Sequence, residues 1–171
     1  MTGNMPTQHD AEALYRVLEE QVRAGLEGVE QAAIVGIYSG GAWLAGRLAK
    51  ALGLETRLGF LDASFYRDDY ASKGLRPNVR PSQIPFDVDG ATILLVDDVL
   101  YTGRTTRAAI NELFDYGRPR RILLAALVDR GDRELPVAAD FVAKKVTLAA
   151  GESLVLQHAD DGRLSLTVDH A

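Results

Sequence analysis

Two adjacent carboxylates, Asp97 and Asp98, follow the apolar run Ile93-Leu94-Leu95-Val96, and Thr102-Gly103-Arg104-Thr105 comes shortly after them. Carboxylates at the end of a buried strand are costly unless a cation or hydroxyl groups use them. A ribose diol together with a magnesium-coordinated phosphate satisfies both, so Asp97 and Asp98 are the candidate metal and sugar ligands. The segment 102–105 runs into a helical pattern. Its glycine permits close backbone approach, its threonines add hydroxyl donors, and the amides and dipole of a helix start favour an anion. A phosphate monoester fits that environment. The segment lacks the Gly-Lys-Ser or Gly-Lys-Thr of a Walker loop and the spaced glycines of a dinucleotide fingerprint. The bland alternative is a helix cap beside two solvated aspartates; strand, carboxylate pair and cap in one run argue for a ligand site.

The elements that must position these residues read as alternating strands and helices. In 10–29, Leu14, Val17, Leu18, Val22 and Leu26 recur at helical spacing. Residues 33–38 read as a buried strand broken by Ser39-Gly40-Gly41, followed by a helix over 42–52 with Gly53 as its stop and a strand over 55–61. Residues 91–96 form the strand that ends at the carboxylates, 104–116 a helix closed by Gly117, and 121–128 another buried strand. Short strands are expected over 141–145, 153–157 and 164–168. Such alternation implies a mostly parallel sheet covered on both faces, with right-handed crossovers. Residues 62–83 differ: Tyr66-Arg67-Asp68-Asp69-Tyr70, Lys73, Arg76, Arg80 and two prolines suggest a projecting loop or hairpin, either a functional lid or a solvated excursion.

Bulk composition narrows the class. The 171 residues, 47% hydrophobic and 25% charged, suit one globular domain. The chain contains no cysteine, which removes disulfides, thiolate catalysis and thiolate metal sites. His9, His158 and His170 form no ligand-like cluster in the sequence. A formal charge of −5 argues against non-specific coating of nucleic acid, although a local basic face remains compatible with RNA. No run reaches the about 18 apolar residues of a membrane span, and residues 1–6 do not read as a secretory leader. A cytoplasmic location is the expectation.

The run 96–105 resembles the diphosphoribosyl-binding motif of type I phosphoribosyltransferases. Leu61-Asp62, Phe65-Tyr66-Arg67-Asp68-Asp69, Gly117-Arg118-Pro119, Leu127-Val128-Asp129-Arg130-Gly131 and Arg133-Glu134-Leu135-Pro136 extend the likeness over nearly the whole chain. They are similar to the branch of pyrimidine operon regulators with uracil phosphoribosyltransferase activity. The resemblance implies a single phosphoribosyltransferase domain over 1–171, with the projecting loop around 62–83 and hood elements from the C-terminal region.

The same resemblance implies formation of UMP and diphosphate from uracil and 5-phospho-α-D-ribose 1-diphosphate with Mg2+. Asp97 and Asp98 would engage the ribose hydroxyls and the metal, and Thr102, Gly103, Arg104 and Thr105 the 5′-phosphate. Ser39, Gly40 and Gly41 match the pyrophosphate loop by location. Relatives commonly have Thr-Arg-Gly there, so backbone amides must do the work in this chain. Arg67, Arg76 and Arg80 are candidates to close over the diphosphate. Purine-salvage relatives carry an acid where this chain has Tyr101, which disfavours a purine; uracil would be read by backbone around 128–135. Asp129 serves equally well as a turn cap or as a base.

A second implied role is binding of pyr leader RNA in response to UMP or UTP, with transcriptional attenuation. Arg118, Arg120, Arg121, Arg130, Arg133, Lys144 and Lys145 are the basic candidates. A homodimer, or a tetramer formed by two such dimers, is the expected assembly. Two other readings stay open: a catalytically weak RNA-binding nucleotide sensor, and a phosphoribosyltransferase for a different base.

Overall fold

A computed structural model of the chain describes residues 8–63 and 81–170. Strand β1 (Gln8–His9) leads into helix α1 (Ala11–Gly25), whose N-cap Asp10 accepts from the Ala13 N–H at 3.0 Å. Strand β2 (Ala32–Ile37), helix α2 (Gly40–Leu52) and strand β3 (Leu58–Leu61) follow. Then come β4 (Thr92–Leu100), α3 (Arg104–Tyr116), β5 (Arg121–Asp129), β6 (Phe141–Lys145), β7 (Glu152–His158) and β8 (Leu164–His170).

The main sheet has five strands in the order β3-β2-β4-β5-β6, every neighbouring pair parallel. Alternation along the strands divides the core. Ile34, Leu94, Val96, Leu123 and Leu127 face one side with Leu18, Val22, Leu44 and Leu48 of α1 and α2. Ala33, Val35, Ile93, Leu95 and Leu124 face the other side with Ala109 and Leu113 of α3. Both faces are therefore covered, as the pattern of strands and helices predicts. Strands β1, β8 and β7 form a separate antiparallel sheet, whose Leu154, Leu156, Leu164 and Leu166 join the α1/α2 side of the core.

Strand order decides where a ligand can sit. From β2 the chain crosses outward to β3, then returns to place β4 on the other side of β2. Helices α2 and α3 consequently leave on opposite faces, and the loops after β2 and β4 separate. Open α/β sheets bind ligands in the crevice at such a reversal, beyond the carboxyl ends of the strands.

Three local expectations are corrected. Residues 55–57, read as the start of a strand, form a 3-10 turn (Glu55–Arg57). It is tied down by Arg57, whose Nε donates to the Ala32 carbonyl at 2.7 Å and Nη2 to the Gln31 carbonyl at 3.1 Å. Ser39-Gly40-Gly41 is not a break before the helix, because α2 begins at Gly40. Strand β4 does not stop at Val96; pairing of Asp97 with Ala126 and of Leu100 with Asp129 carries it to Leu100.

Of the projecting segment, 64–80 lies outside the described residues, and with it Arg67, Arg76 and Arg80. Its returning end is anchored. Gln83 forms an antiparallel bridge with Phe60 through bonds of 2.7 and 2.9 Å, and the Ser82 hydroxyl donates to the Glu112 carboxylate on α3.

Candidate functional site

The crevice is built from the chain that follows β2, β4 and β5. After β2, Ser39 occupies the N-cap position of α2 without a side-chain cap, and its carbonyl accepts from the N–H groups of Ala42 and Trp43 at 3.1 and 3.3 Å. Helix geometry leaves the first-turn amides, those of Gly40 and Gly41 among them, without intrahelical acceptors. Both glycines are required by packing. A methyl group at Gly40 would overlap Asp98 Oδ2 and lie 2.8 Å from Asp98 Cβ, and one at Gly41 would overlap the Val96 carbonyl oxygen. Without side chains the start of α2 sits directly against the end of β4, so the candidate pyrophosphate loop and the carboxylate pair share one wall.

Asp97 is buried, at 6% exposure, and Asp98 half-buried. Asp97 Oδ1 accepts the Asp98 N–H at 2.8 Å, and Asp98 Oδ1 accepts the Val99 N–H at 2.8 Å. These local bonds hold the carboxylates at the strand end, beside the start of α2. Among the described residues no group of three or more His, Asp or Glu could form an all-protein metal cage. Two strand-end carboxylates are instead the complement a hard divalent cation uses when substrate oxygens and water complete its shell, so the donor set fits magnesium.

Beyond β4 the chain turns through Gly103, whose φ of +94° is left-handed, and enters α3. The Thr102 side chain is buried, and its Oγ1 accepts the Arg104 N–H at 3.2 Å. Thr105 lies in the first turn and Thr106 is buried behind it. The starts of α2 and α3 thus both open on the crevice, one beside each face of the sheet. Two positive helix ends with free amides in one cleft suit a ligand carrying two phosphate groups. The Arg104 side chain turns outward to Glu134 at 3.1 Å, and both partners are about half exposed.

The third wall follows β5. Arg133 was counted from sequence among surface cations; its guanidinium is instead part-buried and engages Asp129 Oδ2 at 2.6 Å, the Tyr101 carbonyl at 2.8 Å and the Val137 carbonyl at 2.8 Å. Arg130 is also directed inward: its guanidinium carbon stands 3.8 Å from the Tyr101 ring centroid, a cation–π contact. Of the basic candidates for RNA, Arg118, Arg120, Arg121, Lys144 and Lys145 are exposed, whereas Arg130 and Arg133 are held by these internal contacts. Burial would raise the Asp129 carboxyl, but Arg133 and the Gly131 N–H outweigh it and hold it below its ordinary value. At neutral pH Asp129 is an ion-paired turn residue and a poor general base.

Spacing alone had shown neither Gly40's contact with Asp98 nor the internal place of Arg133, because the partners are distant in the chain. The signals that were available are the doubled glycine at the end of a strand and the two arginines between Asp129 and Pro136.

Comparison with known proteins agrees with this geometry. The family description "Phosphoribosyl transferase domain" matches residues 6–153. A protein of Ralstonia nicotianae named "Bifunctional protein PyrR" is 54% identical over 157 residues, covering 91% of this chain and 90% of that protein. Proteins of the same name from Pseudomonas paraeruginosa and Thermus aquaticus are 50% and 54% identical, over 89% and 82% of this chain and 90% and 79% of their own lengths. Among solved structures, a purine phosphoribosyltransferase of Pyrococcus horikoshii superposes with a TM-score of 0.61 at 26% identity, covering 80% of this chain and 83% of that one. A Trypanosoma cruzi hypoxanthine phosphoribosyl transferase gives 0.69 at 19% identity over 97% and 91%, a likeness of fold.

Proposed function

Because this chain belongs to the phosphoribosyltransferase family, we propose that it joins uracil to 5-phospho-α-D-ribose 1-diphosphate, releasing diphosphate and forming UMP. The observation that carries the chemistry is the meeting of two helix starts and the Asp97-Asp98 pair in the crevice between β2 and β4. The choice of uracil rests on the similarity to proteins named PyrR and on Tyr101 in place of an acid.

In this reaction the bond from ribose C1′ to the diphosphate oxygen breaks, and the oxygen keeps the electron pair. A bond from uracil N1 to C1′ forms, and the N1 proton is lost. Positive charge spreads over the sugar ring as negative charge grows on the leaving group. The chain works by orientation and electrostatics. Amides of the α3 first turn, with Thr102 and Thr105, hold the 5′-phosphate, while Asp97 and Asp98 orient the ribose hydroxyls. Amides of Gly40 and Gly41 receive the diphosphate. Asp97 and Asp98 would also hold Mg2+, which when bound neutralises diphosphate charge and improves the leaving group. Arg67, Arg76 and Arg80 belong to the segment proposed to close over the diphosphate and exclude water. Backbone around 128–135 reads the uracil edge.

The proposed setting is a cytoplasmic homodimer, or a tetramer of two such dimers; no described helix is long and apolar enough to cross a membrane. We further propose that UMP or UTP in the same crevice alters affinity for pyr leader RNA, with Arg118, Arg120, Arg121, Lys144 and Lys145 as the contacting cations. Differential affinity of two conformations for the nucleotide supplies the coupling.

Purified protein should form UMP from uracil with Mg2+, and should use adenine and hypoxanthine poorly. Folded protein that binds the sugar diphosphate yet makes no UMP refutes the enzymatic proposal, and equal use of a purine refutes the base assignment. RNA binding measured with and without UMP tests the regulatory half, which fails if leader RNA is not bound or if the nucleotide makes no difference.

A further inference from the structure

We propose that Arg133 is a positioning residue, an internal strut that sets the 5′-phosphate loop from behind; this rests on the phosphoribosyl-transfer proposal above. The guanidinium bridges separate stretches of chain. Its Nε donates to the Val137 carbonyl at 2.8 Å, Nη1 to the carbonyls of Tyr101 at 2.8 Å and Gly131 at 3.4 Å, and Nη2 to Asp129 Oδ2 at 2.6 Å. Tyr101 directly precedes the phosphate loop, while Asp129 ends β5 on the base side. One side chain therefore joins the two halves of the crevice.

The surrounding backbone reinforces that link. The Thr102 carbonyl accepts the N–H groups of Glu134 and Leu135 at 2.9 and 3.1 Å. Gly103 packs so tightly on the same segment that a methyl group there would lie 3.2 Å from Val137 Cγ2 and 3.4 Å from Leu135 Cβ. The loop from 101 to 103 is thus backed along its length by 131–137, and Arg133 pins both ends of the backing piece. A planar fork is needed, because the acceptors lie in different directions. A lysine keeps the charge but presents a single ammonium centre that cannot span them.

The strut touches the loop of the 5′-phosphate and leaves the Gly40-Gly41 wall alone, so its removal should affect the two phosphate sites unequally. Equilibrium binding of UMP and of inorganic diphosphate, each with Mg2+, reads this directly in Arg133→Lys and Arg133→Gln. UMP affinity should fall about tenfold, the scale of one charge-assisted hydrogen bond, with diphosphate affinity unchanged. In turnover, the KM for the sugar diphosphate should rise more than kcat falls. Asp129→Asn, which keeps an acceptor for Gly131 but removes the ion pair, should move UMP binding the same way by less; it decides the matter if both Arg133 variants fold poorly. Equal weakening of UMP and diphosphate would mean general loosening and would overturn the inference. So would unchanged UMP affinity, including the case in which only RNA binding is lost. Wild-type protein that makes no UMP sinks the uracil chemistry instead, and the UMP-to-diphosphate binding ratio still decides the role of Arg133.

Discussion

Asp98 at the end of β4 and Glu12 in the first turn of α1 are both half-buried carboxylates. Glu12 is saturated: Arg47 grips it with two bonds of 2.7 and 2.9 Å, and the Leu164 N–H adds a third at 2.7 Å. It locks the β7-β8 hairpin to α1 and α2, with Arg47 also over the Tyr15 ring. Among the described residues Asp98 accepts one backbone N–H and faces the bare Cα of Gly40. A carboxylate whose lone pairs are filled by the protein supports the fold. One positioned by its own strand, with no cation of the described residues paired with it, is prepared for a ligand.

Substitutions should separate these two roles. Asp98→Asn should lower kcat/KM by about 100-fold or more while leaving the thermal midpoint nearly unchanged; a large loss of stability with residual activity intact would erase the distinction. Gly41→Ala forces a methyl group on the Val96 carbonyl, so destabilisation of about 1–3 kcal/mol is expected together with weakened diphosphate binding, both readable by denaturant titration and product inhibition. Glu12→Gln breaks the charged half of the Arg47 clamp and should cost about 1–3 kcal/mol with kcat unchanged.

The pH dependence should follow the same contrast. The Arg47 bond, opposed by burial and aided by the Leu164 N–H, lowers the Glu12 carboxyl from 4.5 to about 2. Its folded pKa lies below its unfolded one, so its contribution is present above 4.5 and is lost as pH falls towards 2. Thermal melts through that window should show a smaller acid loss in Glu12→Gln than in the wild type. The smallest effect is expected for Arg104→Ala: its pairing with Glu134 is solvent-exposed, and unfolding should change by less than about 1 kcal/mol.

Legibility in the sequence followed the range of the forces involved. Helix α3 was bounded correctly because Gly103 and Gly117 punctuate a strongly periodic segment, and β6 because its short run starts after Asp140 and ends at Lys144-Lys145. The carboxylate pair and the threonine-glycine turn were legible as a ligand site because strand, acid and helix start occur in one continuous stretch. The end of β4 was not, since only pairing with β5 extends the strand through the acids. Nor was the 3-10 turn at 55–57, which Arg57 stabilises by reaching back to Gln31 and Ala32. Arg133 looked like a surface cation because Tyr101, which it holds, lies 32 residues away. The expected hood and the closing arginines are proposals still, Arg67, Arg76 and Arg80 lying outside the described residues.

A crystal structure of the protein with UMP and Mg2+ tests the crevice most directly. The phosphate should lie against the first-turn amides of α3 between Thr102 and Thr106, with the ribose hydroxyls toward Asp97 and Asp98. A nucleotide bound on another surface, with that helix start facing only solvent, would contradict it.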